Sequence, residues 1–176
     1  MFVWLGISLK NELFDFSKDI IEFANENNIN TPLNNLPIHV SLRISFEIDN
    51  TLFSKLEKEL TEFANSLSPF NIEFEKIESV NHILWIKCKP SKELTNTHDN
   101  LCELLNEKYN IAWHELDRNF IFHSTLFMDE PQIIEKYYNK ISKFKIADSV
   151  ISNEILIGIS ENGEPNTYQI YKTIRI

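Results

Sequence analysis

The sequence predicts an α+β fold of two pseudo-symmetric lobes, each a mostly antiparallel sheet with outer helices, separated by a central cleft. Three observations support this prediction. Segments with β-type alternation are interleaved with segments whose apolar residues recur at helical spacing. The order of these segments repeats once along the 176-residue chain. Each repeat carries a nearly identical tetrapeptide, H-V-S-L at 39–42 and H-S-T-L at 123–126.

The first half of the chain contains three predicted strands and two predicted helices. Aromatic and β-branched runs indicate the strands, and apolar stripes at a 3.6-residue period indicate the helices. A Pro- and Asn-rich stretch at 31–37 predicts a loop between the first helix and the second strand. The predicted order is a strand at 2–8, a helix at 11–27, a strand at 37–46, a helix at 51–67 and a strand at 70–78.

The second half follows the same scheme and ends in an additional strand. Pro131 suits the first turn of a helix, and the Asn162-Gly163 pair favours a tight hairpin turn. The predicted order is a strand at 82–88, a helix at 91–108, a strand at 119–128, a helix from 131 to about 144, a strand at 150–159 and a strand at 167–175.

The two halves align as an internal repeat. V-W-L-G-I-S-L-K-N-E-L (3–13) corresponds to L-W-I-K-C-K-P-S-K-E-L (84–94), which places Trp4 opposite Trp85. No Ser- or Gly-rich linker separates the halves. We therefore expect one bilobal domain over 1–176, with repeat 1 at about 1–80 and repeat 2 at about 81–176.

Composition excludes several classes of function. A net charge of −9 argues against non-specific binding of bulk DNA, because phosphates repel an acidic protein. Only three glycines occur, and no glycine-rich phosphate loop or dinucleotide fingerprint is found, so no cofactor is expected. Two cysteines without metal-ligand spacing indicate a reducing, cytoplasmic setting. The apolar start is too short for a signal peptide, and no run suggests a membrane span.

Strand alternation predicts which way the two histidines point. His39 and Ser41 share the face opposite the apolar residues of their strand, and His123 and Thr125 do the same in theirs. A single H-x-S/T is more often a structural histidine beside a solvated hydroxyl. Two copies at equivalent positions of an internal repeat, both followed by leucine, favour a functional pair.

Paired histidines of this kind are suited to acid–base chemistry at a phosphate. One neutral imidazole removes a proton from an attacking oxygen, and a protonated one gives a proton to the leaving oxygen. The hydroxyls of Ser41 and Thr125 can donate to the non-bridging phosphate oxygens. Such chemistry suits a 2′,3′-cyclic phosphate or a phosphodiester with a neighbouring ribose hydroxyl.

The paired motifs, on strands about half a chain apart, resemble those of the two-histidine (2H) phosphoesterase superfamily, which includes the 2′-5′ RNA ligases and cyclic phosphodiesterases. H-V-S-L-R-I-S-F (39–46) and the closing E-N-G…Y-x-x-Y are similar to the YjcG-like branch. The resemblance implies a metal-independent phosphoric diester hydrolase whose substrate is a nucleotide or RNA end with a cyclic or 2′-5′ phosphate. It also implies catalytic roles for His39 and His123 and phosphate binding by Ser41 and Thr125, where Ser41 replaces the family's usual threonine.

Five further residues are candidates for substrate binding. Arg43 continues the His39–Ser41 face and either grips a phosphate or is a solvated cation. Lys87 shares the face of Trp85 and could add local positive charge. Trp4, Trp85 and Phe127 are predicted to lie away from the apolar layer, where they either stack on a nucleobase or close the seam between the lobes.

Alternative functions stay open at this stage. The chain could be a non-catalytic nucleotide or RNA-end binding module, or an enzyme that degrades cyclic oligonucleotide signals. A zinc site built on His39 and His123 would need a third ligand that no motif supplies. One of two tyrosines in the last strand, Tyr168 or Tyr171, is expected to reach the cleft.

Overall fold

A computed structural model describes the whole chain, residues 1–176, as two antiparallel sheets and four α-helices. The elements are β1 (Phe2–Ser8), α1 (Phe14–Asn27), β2 (His39–Ser41), β3 (Phe46–Glu47), α2 (Phe53–Asn65), β4 (Phe70–Val80), β5 (Ile83–Cys88), α3 (Lys92–Tyr109), β6 (His123–Met128), α4 (Pro131–Ile141), β7 (Ser149–Ser152), β8 (Glu154–Ser160) and β9 (Gln169–Arg175). Short 3₁₀ turns occupy 32–34, 50–52, 115–119 and 165–167. The predicted α+β fold is confirmed.

The two sheets place the two histidine strands at equivalent positions. The first sheet has the order β2-β1-β8-β9, with β3 also paired to β1, and the second has the order β6-β5-β4-β7. Strands β2 and β6 are each at the end of their sheet, and they lie beside one another across the seam. The two H-x-S/T segments therefore meet where the lobes meet.

Each of the two sheets contains strands from both halves of the sequence. Strand β4 comes from the first half but pairs with β5 and β7 in the second sheet. Strand β8 comes from the second half but pairs with β1 in the first sheet. Each lobe therefore contains strands from both halves of the chain.

Each helix buries the apolar stripe that its sequence predicts. Helix α1 packs through Phe16, Ile20, Phe23 and Ala24, and α2 packs through Leu56, Leu60, Phe63 and Ala64. These residues belong to one continuous core that contains strand residues of both sheets. Burial of that apolar surface is the main force that holds the sheets in their relative positions.

Two predicted strands are interrupted. Ser41 pairs with Gly6, and Phe46 pairs with Val3. The chain therefore advances five residues from Ser41 to Phe46 but only three residues along β1. Two residues are accommodated in a bulge, which breaks the predicted strand 37–46 into β2 and β3. The predicted strand 150–159 is split at Asn153 into β7 and β8, which belong to different sheets.

Hydrogen bonds from the loop before β2 fix the seam. The Thr31 hydroxyl donates to the Leu126 carbonyl oxygen at 2.6 Å, and the Met128 amide donates to the Asn30 carbonyl oxygen at 3.0 Å. The Asn30 amide in turn donates to an Asp129 carboxylate oxygen at 2.9 Å. These bonds attach the first lobe directly to β6, the strand that carries His123.

None of the four helices combines the length and the apolar character that crossing a membrane requires.

Candidate active site

A cavity of about 410 Å³ opens at the seam between the lobes. This volume lies in the range of small-molecule binding pockets. The cavity brings together all four residues of the paired motif, His39, Ser41, His123 and Thr125. Its other contributors come from both sheets, from the 3₁₀ turn at 115–119 and from the β8–β9 connection.

His39 is held in one orientation by two contacts. Its Nδ1 lies 2.8 Å from the carbonyl oxygen of Pro37, and its ring stacks on the indole of Trp4 with centroids 4.5 Å apart. In the neutral ring, a carbonyl oxygen at this distance requires the proton on Nδ1. The lone pair is then on Nε2, which is the nitrogen available for proton transfer.

His123 has the same arrangement in the second lobe. Its Nδ1 lies 2.7 Å from the carbonyl oxygen of Ile121, and its ring packs on the indole of Trp85 at 4.2 Å between centroids. The carbonyl again belongs to the residue two positions earlier. Both histidines are thus fixed by backbone and tryptophan, and both have Nε2 as the nitrogen that can exchange a proton.

The two tryptophans are supported by different means. Trp4 lies flat over Gly6 and Gly158, where an added Cβ would come within 2.3 Å and 2.1 Å of its ring atoms. Only glycine leaves room for the indole at these two positions. The Trp85 indole nitrogen instead donates to a carboxylate oxygen of Glu78 at 3.1 Å.

Burial makes both imidazoles weaker bases. Desolvation is the main cause that lowers the pKa of His39 to about 4; the Pro37 carbonyl opposes it, and the nearby His123 reinforces it. Desolvation also lowers the pKa of His123, but less, and the Ile121 carbonyl opposes the shift. Of the two, His39 is therefore the ring more strongly held in its neutral form.

Arg43 lines the cavity but is buried, and all of its guanidinium nitrogens except Nη1 have hydrogen-bond partners. Its side chain is 2% exposed, its Nε donates to an Asp117 carboxylate oxygen at 3.1 Å, and its Nη2 donates to the Ala112 carbonyl oxygen at 2.7 Å. The bulge after Ser41 turns this residue inward, so the alternation that predicted an open cleft position does not apply. The guanidinium instead joins β2 to the segment before β6.

Lys87 lies beside His123, its partner in the β5–β6 register, but outside the cavity lining. Its ammonium group pairs with Glu75 at 3.1 Å, so the positive charge predicted for the cleft is balanced elsewhere. Trp85 does line the cavity, is 8% exposed, and presents its ring to His123.

Phe127 does not lie in the cleft, so this part of the prediction is wrong. Thr125 pairs with Trp85 and Phe127 pairs with Leu84, which leaves Leu126 as an extra residue in a β-bulge. Beyond the bulge the faces are exchanged. Phe127 is buried against Phe23 in the core, and Met128 takes its place in the cavity wall.

Several cavity residues were not predicted. Met128, Leu36 and Leu116 carry no local signal, because a bulge, a loop and a 3₁₀ turn bring them to the site. Of the two candidate tyrosines, Tyr168 lines the cavity and Tyr171 is half-exposed on β9. The pairing of each histidine with a tryptophan could have been predicted from the repeat, since Trp4 and Trp85 occupy equivalent strands.

A second polar cluster lies behind the cavity. Ligand-type atoms of His98, Cys102 and Asp117 lie within 4.8 Å of one another, and all three residues are buried. However, the His98 ring nitrogens face the carbonyl oxygens of Leu42 and Asp117 at 2.7 and 3.0 Å, and burial raises the pKa of Cys102 to about 12. These contacts describe a hydrogen-bonded core and do not fit a metal centre.

The chain resembles known proteins over most of its length. Residues 15–149 match the family model of the 2′-5′ RNA ligase superfamily. A protein of Bacillus mycoides (strain KBAB4), named for an expected phosphoesterase activity, is 23% identical over 148 residues, which cover 80% of each chain. A similarly named protein of Oceanobacillus iheyensis is 32% identical over 71 residues, which span only 42% of its length.

Solved structures resemble the fold as a whole. LigT of E. coli, crystallised with NADP+, superposes with a TM-score of 0.62 at 16% identity and covers 99% of this chain and 96% of its own. The same protein crystallised with 3′-AMP gives a TM-score of 0.57 at 15% identity over the same shares of the two chains. With the family match over 15–149, these findings show that the chain is a member of the 2′-5′ RNA ligase superfamily of two-histidine phosphoesterases.

Proposed function

We propose that the protein is a metal-independent phosphodiesterase that hydrolyses 2′,3′-cyclic phosphates or 2′-5′ phosphodiester bonds of nucleotides and RNA ends. The observation that carries this proposal is the pair of identically oriented imidazoles in one cavity, each with a hydroxyl two residues further along its strand. Membership of a phosphoesterase superfamily supports the reaction class.

The proposed reaction needs only the groups that line the cavity. A neutral imidazole takes a proton from water as the water oxygen attacks phosphorus. The bond from phosphorus to the 2′ or 3′ ribose oxygen breaks, and the second imidazole, protonated, gives its proton to that oxygen. The hydroxyls of Ser41 and Thr125 donate to the non-bridging oxygens, where negative charge accumulates in the transition state.

The environments of the two rings suggest which is base and which is acid. His39, with the pKa lowered to about 4, is neutral over the physiological range and is assigned as the base. His123 retains the higher pKa of the two and is assigned as the acid. A bound phosphate anion close to His123 would raise the pKa of that ring and favour its protonated form.

The donor set argues for chemistry without a metal. The cavity lining contains two histidines but no carboxylate and no thiol, whereas a catalytic zinc takes three protein ligands. Both Nδ1 atoms already face backbone carbonyls. Only Nε2 of each ring is left. The acid–base mechanism needs this nitrogen for proton transfer, and a zinc ion would occupy it.

LigT, whose fold this chain shares, has been crystallised with 3′-AMP, NADP+ and ATP. A nucleotide such as the 3′-AMP bound by LigT is therefore a reasonable model for the occupant of the cavity in this chain. We accordingly propose nucleotides or short oligonucleotides as the substrates.

A single-turnover assay with a panel of phosphodiesters tests the proposal. The panel contains the four nucleoside 2′,3′-cyclic phosphates, 2′-5′ and 3′-5′ dinucleotides, and cyclic dinucleotides, each measured with and without EDTA. Turnover of a 2′,3′-cyclic or 2′-5′ substrate that persists in EDTA is expected. Tight binding without turnover would identify a binding module, and cleavage confined to cyclic dinucleotides would identify a signal-degrading enzyme.

A further inference from the structure

The cavity walls on either side of the histidines are apolar. The first wall consists of Leu36, Pro165 and Tyr168, and the second wall consists of Leu116, Phe120 and Ile121. Leu116 and Ile121 stand at the mouth with exposed fractions of 58% and 49%. Large exposed apolar side chains beside a ligand cavity indicate contact with an apolar or aromatic part of the ligand.

The cavity offers no exposed positive charge beyond the histidines. Arg43 is the one charged side chain in the lining, and its guanidinium is buried and paired with Asp117. Its Nη1 has no hydrogen-bond partner but is buried as well. Sites that hold a terminal phosphate normally present an arginine or lysine to it. Here a second phosphate on the substrate would find no such partner.

Acidic residues adjoin both walls. Exposed Glu115 directly precedes Leu116 of the second wall, and exposed Glu164 directly precedes Pro165 of the first wall. Asp129 follows Met128 of the cavity lining, and Glu130, Glu161 and the single cation Arg118 lie one or two positions from lining residues. Together with the net charge of −9, they create a negative field around the mouth that repels additional phosphates.

We propose that this site selects substrates whose only anionic group is the reacting phosphodiester. Nucleoside 2′,3′-cyclic monophosphates and dinucleoside monophosphates with free 5′-hydroxyls meet this requirement. The same molecules with a 5′-phosphate do not. This inference rests on the proposed function, because it presumes that the cavity hydrolyses a phosphodiester.

The test compares kcat/KM for one nucleoside 2′,3′-cyclic phosphate with and without a 5′-phosphate. The unphosphorylated substrate is expected to be favoured by about tenfold or more at low salt, and the preference should shrink at high ionic strength, where repulsion is screened. Equal rates, or a preference for the 5′-phosphorylated substrate, would overturn the inference while leaving the phosphodiesterase in place. Failure to cleave either substrate, or any in the panel above, would instead reject the proposed function.

A matched pair of charge variants isolates the contribution of the mouth. Leu116→Lys places a cation on the second wall and should reduce the discrimination severalfold, since the new ammonium can reach the added phosphate. Ile151→Lys makes the same change at a residue that is 64% exposed on β7, at the far edge of the second sheet, and should leave the discrimination ratio as in the wild type. Glu115→Gln removes one negative charge from the rim and should shift the ratio in the same direction as Leu116→Lys.

An unchanged ratio in both Leu116→Lys and Glu115→Gln would contradict the inference. So would an equal shift in Ile151→Lys, because the effect would then follow overall charge and would not depend on the mouth.

Discussion

The two halves of the site are built alike but supported differently. In each lobe a histidine stacks on a tryptophan from the adjacent strand and directs Nδ1 to the carbonyl oxygen two residues earlier. In the first lobe two glycines make room for the tryptophan, whereas in the second a glutamate binds its indole nitrogen. The orientation of the ring is thus common to both lobes, and the surroundings of the ring are not.

The two rings also differ in basicity, because desolvation lowers the pKa of His39 to about 4 and lowers that of His123 less. This difference supports the proposed roles, in which His39 accepts a proton and His123 donates one. Two identical environments would give both rings the same preference for the proton. Two histidines that lie on equivalent strands but have different pKa values can keep one shared proton on a defined ring.

The largest expected effect comes from removing either imidazole. His39→Ala and His123→Ala should each lower kcat by about 10²- to 10⁴-fold, the usual contribution of a general acid or base. Because both rings line the cavity and neither belongs to the hydrophobic core, the variants should keep the wild-type circular dichroism spectrum. A folded variant of either kind with near-normal turnover of the panel substrate would contradict the assigned roles.

The hydroxyls are expected to matter next. Ser41→Ala and Thr125→Ala should each lower kcat by about 10- to 10³-fold with a smaller change in KM, since a donor to the developing charge acts mainly in the transition state. Thr125→Ser keeps a hydroxyl and should retain most of the kcat that Thr125→Ala loses. An effect confined to KM, or an equal loss of kcat in Thr125→Ser and Thr125→Ala, would show that the hydroxyl does not stabilise the transition state.

Substitutions at the residues that support Trp4 and Trp85 should affect the activity of the two lobes differently. Gly158→Ala puts a Cβ where the Trp4 ring now lies and should displace that ring from His39, with a loss in kcat/KM of about tenfold and a destabilisation of about 1–3 kcal/mol. Glu78→Gln keeps an acceptor for the Trp85 indole and should change kcat/KM by less than about twofold. Rates and denaturant unfolding measured on both variants provide the comparison, and an equal loss in the two would remove the distinction between the lobes.

The pH dependence of kcat/KM should reveal the difference in pKa between His39 and His123, and it perturbs the protein least. The proposed mechanism requires His39 neutral and His123 protonated. It therefore predicts that kcat/KM is highest between pH about 4 and a value below 6.5, and that it falls as pH rises further and His123 loses its proton. NMR titration of the imidazole C–H signals would assign each limb. His123→Asn should raise the pKa of His39, because it removes a neighbouring positive charge. A titration in which His39 holds its proton to higher pH than His123 would reverse the assignment of base and acid.

Local patterns predicted which face of each strand the motif residues occupy, and non-local pairing decided the rest. Strand alternation placed His39, Ser41, His123 and Thr125 correctly on one side because no bulge separates each histidine from its hydroxyl. Phe127 lies just beyond a bulge, which inverts its face, and nothing in the local sequence marks Leu126 as the extra residue.

Arg43 shows a second limit of sequence-based prediction. Its partner Asp117 is 74 residues away, and only the folded seam brings the two together. Some strand boundaries were predicted wrongly for the same reason. The split of 150–159 into β7 and β8 depends on which sheet each piece joins, a property of tertiary pairing that alternation does not record.

A crystal structure with a phosphate-like oxyanion such as vanadate or tungstate tests most directly whether one phosphate fits between the two lobes. The anion should lie in the cavity with oxygens about 2.7–3.1 Å from Nε2 of both His39 and His123, and with the Ser41 and Thr125 hydroxyls as further donors. An anion that contacts only one imidazole, or that binds outside the cavity at saturating concentration, would contradict the two-histidine site.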